Sequence, residues 1–171
     1  MSVHVFVDTN VLLYAHDASE PAKQPHARMW LEHLWREMAG RTSMQVLSEY
    51  YYNVTRKLDP GLKPQEAWDD VATYFAWRPY PVDEPLLSRA RDIELRFRLS
   101  WWDSMVVGAA QLQDCALLLT EDLQDGAAFG AVTVRSPFTL DVREPAATYE
   151  ATPVSRSRHR PRGRPRSVIR E

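Results

Sequence analysis

Short runs of apolar and β-branched residues at 3–7, 116–120 and 131–135 are separated by long stretches with helical periodicity. That alternation constrains the fold more than any other feature. Strands that are apolar on both faces must be covered on both sides, and strands joined through helices pair in parallel by right-handed crossovers. The expected class is α/β: three layers, α/β/α, around a central, mainly parallel sheet. At 171 residues the chain is long enough for one domain with a sizeable core.

The helical stretches read as about 25–38, with Met29, Trp30, Leu34 and Met38 on one face, and 45–58, with Val46, Leu47, Tyr50, Tyr51, Val54 and Leu58. Asp59-Pro60-Gly61 stops the second of these. Further helices are expected at 64–75, after the capping residue Asp83, and at 101–113 after Ser100. Residues 41–44 are expected to form a short second strand. Residues 77–82 read as an edge strand, because Pro79 and Pro81 cannot donate to a ladder.

Charge divides the chain. Residues 1–150 hold 22 acidic against 14 basic side chains, whereas 151–171 hold seven arginines against Glu171 alone. Periodicity stops near residue 142, so residues 1–141 are expected to be the folded domain and 142–171 a disordered Arg/Pro-rich tail. A single cysteine, Cys115, implies no disulfide framework and points to a reducing, cytoplasmic setting. Neither a signal peptide nor a membrane span is visible.

Four acids stand at the edges of apolar elements, far apart in sequence: Asp8, Glu49, Asp103 and Asp122. Each has an ordinary alternative. Asp8 could cap a helix, Asp103 could complete a capping box with Ser100, Asp122 could open a loop, and Glu49 could be a solvated helical residue. Asp8 and Asp122 follow strand ends, where open parallel sheets place their ligands. Carboxylates repel when gathered and are costly to bury, so a fold that collects them usually does so around a hard divalent cation, Mg²⁺ or Mn²⁺. This reading points to a metal-dependent phosphodiesterase. It also implies that neutralising any one acid leaves the metal-free protein no less stable.

The segments VFVDTN (5–10), QVLSEYYYNVTRK (45–57), LSWWDSMVVGAA (99–110) and LLTEDLQ (118–124), followed by Ser136-Pro137-Phe138, resemble the PIN domain family in order and spacing. Within it they look most like the VapC-type toxins of bacterial toxin–antitoxin pairs. The resemblance covers about residues 1–141. It implies a nuclease that cuts single-stranded RNA with Mg²⁺ or Mn²⁺. The family's acidic quartet falls on Asp8, Glu49, Asp103 and Asp122, all read as catalytic and metal-holding. Asn10 matches a position that steadies the first carboxylate, Thr120 a hydroxyl near the metal, and Asp125 a supplementary acid. A small antitoxin protein and a homodimer are the partners that similar proteins have.

Aspartyl-phosphate chemistry of the haloacid dehalogenase kind is disfavoured, because Asn10 stands where that family needs a second acid. A DNA-directed, flap-nuclease-like activity would need extra helical segments for threading DNA. A non-catalytic nucleic-acid-binding module, or a PIN-like nuclease in RNA processing without an antitoxin, remain as alternatives. In the tail, Arg156, Arg158, Arg160, Arg162, Arg164 and Arg166 are candidate RNA contacts, because flexible arginines gather phosphates without sequence preference.

Overall fold

The structure, a computed structural model, describes residues 3–143. From residue 144 on, the expected tail, with Arg156, Arg158, Arg160, Arg162, Arg164 and Arg166, lies outside the described residues. Five strands form one sheet in the order β2-β1-β3-β5-β4: β1 (His4–Val7), β2 (Gly40–Arg41), β3 (Cys115–Leu119), β4 (Ala128–Phe129) and β5 (Val132–Arg135). The β1–β2, β1–β3 and β3–β5 pairs are parallel, and only β4 runs antiparallel to its neighbour β5.

Consecutive residues Val5, Phe6 and Val7 are buried, as are Leu117, Leu118 and Leu119. Successive strand side chains point to opposite faces, so β1 and β3 are covered on both. The cover is helical, which gives the expected three-layer α/β/α arrangement. Its helices are α1 (Thr9–Tyr14), α2 (Gln24–Glu37), α3 (Met44–Arg56), α4 (Pro64–Thr73), α5 (Glu84–Phe97) and α6 (Trp101–Leu112). Among the described residues, no helix is long and apolar enough to cross a membrane.

Local chemistry sets the boundaries. Ser43 caps α3 by accepting from the Val46 amide, so it and Thr42 are not part of a strand, and the second strand lies at Gly40–Arg41 rather than 41–44. Asp83 caps α5 through the Leu86 amide, as its position implied.

The expected strand at 77–82 does not form. Tyr74–Trp77 makes a 3-10 turn instead, Arg78 takes a left-handed φ of 51°, and a single bridge joins Tyr80 to Ser43. Tyr80 alone in this stretch bridges to the segment before α3, donating to Thr42 O and accepting from Met44 N, since neither proline can donate. The short helix α1 and strand β4 were not expected. Each is too short for its periodicity to show.

Gly40 sits where a side chain cannot. A Cβ at this position would lie 2.4 Å from the ring of Trp77, whose side chain is fully buried. Trp77 also packs at 4.9 Å from the ring of Trp35 and 5.0 Å from that of Tyr74, so it has no room to retreat. Gly40→Ala is therefore expected to cost about 1–3 kcal/mol through overpacking, read as a lower thermal midpoint by circular dichroism. An unchanged midpoint would show that this aromatic cluster yields.

Candidate active site

Because β1 and β3 pair in parallel with Val7 beside Leu119, the next residues along each strand, Asp8 and Thr120, emerge side by side at the carboxyl end of the sheet. Both are fully buried. The Thr120 hydroxyl donates to Asp8 Oδ2 at 2.7 Å. It accepts from Asn10 Nδ2 at 2.9 Å and from the Asp122 amide at 3.1 Å. Asn10 Nδ2 also reaches Asp122 Oδ2 at 3.2 Å and Asp8 Oδ2 at 3.5 Å. Asp8 additionally begins α1, its Oδ1 accepting from the Thr9 amide at 2.7 Å. Capping and site membership are thus compatible uses of one carboxylate.

Glu49 joins from α3. Its Oε2 accepts from Thr9 Oγ1 at 3.1 Å and its Oε1 from Gln45 Nε2 at 2.8 Å. The same Gln45 amide lies 3.4 Å from the Trp102 carbonyl, which ties α3 to the first turn of α6. There Asp103 is fully buried, its Oδ2 accepting from the Ser100 hydroxyl at 2.8 Å while its own amide donates to that oxygen at 3.1 Å. Asp125 stands apart from this network. It accepts from Arg135 Nε at 3.1 Å and the Ser136 amide at 2.8 Å, fastening its own loop.

The structure therefore brings Asp8, Asn10, Glu49, Thr120 and Asp122 into one hydrogen-bonded group, with Asp103 linked to it through Trp102 and Gln45. Thr9, Gln45 and Ser100 were missed as site residues. Thr9 and Gln45 carry no charge and no motif of their own. Their one sequence signal is adjacency, beside Asp8 and one helical turn before Glu49.

Among the described residues, no three acidic, histidine or cysteine side chains form a ready-made metal shell. Hydroxyl and amide groups stand between the acids instead. The donor chemistry nonetheless suits a hard cation, since every one of these side chains offers oxygen. Within the group Asn10 Oδ1 and Gln45 Oε1 are buried oxygens without a hydrogen-bond partner, and so is Ser104 Oγ, next to Asp103. Such atoms normally find a partner, and acceptor oxygens at an acidic site fit a cation or its water shell.

Two networks brace the group. Lys23 Nζ donates to Glu121 Oε2 at 2.8 Å and to the Tyr14 hydroxyl at 3.1 Å, and Tyr14 donates to Glu121 Oε1. This fastens the loop carrying Asp122 to the end of α1. Burial, and then the Glu121 carboxylate, push the Tyr14 phenol up to about 12.

Beneath Glu49, the buried Tyr50 hydroxyl donates to Asp70, and His16 Nε2 lies 3.4 Å from the same carboxylate oxygen. Burial pushes the Asp70 carboxyl up, but the bonds from His16 and Tyr50 outweigh it and hold it below the usual range. A depressed carboxylate stabilises the fold above its unfolded value, about 3.9, and loses that contribution as pH falls through the folded value. The stability gap between the wild type and Asp70→Asn is thus expected to close in denaturant melts below about pH 4. A gap that persists at the acid end would contradict this assignment.

The sequence matches the profile of the PIN domain over residues 5–124. The chain belongs to the PIN domain family. The fold agrees with solved structures of low identity. VapC20 of Mycobacterium tuberculosis, described as a sarcin-ricin loop cleaving toxin, superposes with a TM-score of 0.50 at 19% identity, covering 67% of this chain and 86% of that one. The DNA-bound VapBC of Salmonella typhimurium gives 0.57 at 14% identity, covering 80% and 99%. No curated protein matches the sequence. In this PIN domain the matched segment takes in all four acids of the site.

Proposed function

We propose that this PIN domain is an endoribonuclease that hydrolyses single-stranded RNA with Mg²⁺ or Mn²⁺ and serves as the toxin of a type II toxin–antitoxin pair. The observation that carries the reading is the shared hydroxyl of Thr120, which joins Asp8, Asn10 and Asp122 at the carboxyl end of the sheet. Asp8, Glu49, Asp103 and Asp122 would hold the cation. When bound, it would neutralise the carboxylates, polarise the phosphate and make a water more acidic.

The protein's own part is orientation and proton handling. Thr120 and Asn10 aim Asp8 Oδ2, and Ser100 aims Asp103 Oδ2. Gln45 and Thr9 fix the two oxygens of Glu49, which would accept a proton from the attacking water. In-line attack at phosphorus would then break the P–O3′ bond, leaving a 5′-phosphate and a 3′-oxygen that takes a proton from solvent to become the 3′-hydroxyl. The neighbours' descriptions as a toxin and as a VapBC complex support the toxin reading and a small antitoxin partner. A homodimer, and a tail whose arginines gather RNA phosphates, complete the proposal.

Expression is the direct test. The chain should arrest growth, and co-expression of a small adjacent open reading frame should relieve the arrest. Purified protein should degrade a mixed RNA pool with Mg²⁺ or Mn²⁺ but not with EDTA. An RNA pool left intact under both metals would overturn the reading.

A further inference from the structure

Helix α6 is the most buried helix among the described residues: every residue from Asp103 to Ala110 is buried, and Trp101, Gln111 and Leu112 are partly so. Trp102 is the exception, with 51% of its surface exposed. A half-exposed indole is costly to leave in water, and a lone one needs no explanation by itself. This one occupies a particular place. It directly precedes buried Asp103, and its carbonyl accepts from the Gln45 amide that also holds Glu49. The indole therefore stands on backbone anchored to two of the four acids.

Charge supplies the complementary argument. Residues 1–150 carry an excess of acids, so a polyanion gains little by Coulomb attraction to this part of the chain as a whole. Affinity close to the acids must come from an interaction that a negative surface does not weaken. Stacking of an unpaired base on an aromatic ring is such an interaction, and every base has a π-face to offer.

We propose that Trp102 is a base-stacking platform that binds one unpaired base of single-stranded RNA next to the acidic site. The proposal rests on the RNA reading above. Trp102 touches substrate but not the reacting atoms.

The test measures binding and cleavage separately on the full chain. A fluorescent single-stranded RNA of about ten nucleotides is titrated in EDTA against wild type, Trp102→Ala and Trp102→Phe, at several salt concentrations. Trp102→Ala should raise Kd by about 5- to 150-fold, and Trp102→Phe by less. The salt slope should not change, because no charge is lost. An abasic nucleotide at one position should weaken wild-type binding by a similar factor, yet cost nothing further in Trp102→Ala. With metal added, kcat at saturating RNA should stay within about twofold, so the loss falls on KM.

Equal Kd for wild type and Trp102→Ala, or abasic and alanine losses that simply add, would overturn the platform. Metal-dependent cleavage with the same KM in wild type and Trp102→Ala would do so while leaving the nuclease reading intact. RNA binding that needs Trp102 without cleavage would remove the nuclease reading and keep the platform. Wild-type protein that neither binds nor cleaves RNA removes both.

Discussion

Asp8→Asn is expected to lower RNA cleavage by at least about 100-fold, because even groups that merely orient a metal ligand commonly account for 10–100-fold. It is also expected to destabilise the fold, which reverses the expectation from charge repulsion alone. Thr120 Oγ1 already accepts two hydrogen bonds, from Asn10 Nδ2 and the Asp122 amide, so its one proton must go to Asp8 Oδ2. The other carboxylate oxygen receives the Thr9 amide. An asparagine presents one NH₂, and either orientation sets it against a donor. The cost should be about 1–3 kcal/mol, or about 2–4 °C of thermal midpoint per kcal/mol. Activity must therefore be compared well below both midpoints. A variant as stable as wild type in EDTA would mean that repulsion among the acids outweighs the lost acceptor.

Thr120→Val is expected to reduce cleavage by roughly 10–100-fold and to raise the divalent concentration needed for half-maximal rate. Valine keeps the shape and removes the hydroxyl on which Asp8, Asn10 and Asp122 converge. Thr120→Ser should restore most of the activity, since the hydroxyl returns at the cost of a methyl group. Parallel metal titrations of the two variants decide this. If the valine variant cut RNA at the wild-type rate, the shared hydroxyl would be structural only.

These expectations show what a sequence can and cannot carry. The apolar runs ending at Val7 and Leu119 made a two-sided sheet legible, and Asp8 and Asp122 beyond their ends could be read as a crevice. Glu49 was legible because a charge beside an apolar stripe needs a reason, and Asp103 because a carboxylate in the first turn after Ser100 can face a crevice. Thr9 and Gln45 were not, because a neutral donor on a helix looks the same whether it faces water or a carboxylate. The failed strand at 77–82 has a similar cause. Its apolar and aromatic residues suit an edge, but the prolines leave too few donors, and Trp77 turns inward to fill the space above Gly40. Tertiary packing decided that segment, and packing partners are not written locally.

Helix α1 shows the opposite limit. Asp8 could be read as a cap or as a site residue, and in the structure it both caps α1 and accepts from the Thr120 hydroxyl. A single carboxylate beginning a six-residue helix leaves no periodic pattern to read, so the choice could not be made from the sequence.

The central claim is that the acids around Thr120 cut RNA by hydrolysis. It is tested most directly by mapping the ends left on one defined single-stranded RNA by wild type and by Asp8→Asn, Glu49→Gln, Asp103→Asn and Asp122→Asn, with Mn²⁺ and with EDTA. The account predicts 5′-phosphate and 3′-hydroxyl ends from wild type with Mn²⁺ alone, and intact RNA from all four variants. Cuts that persist in EDTA and in all four variants would contradict it.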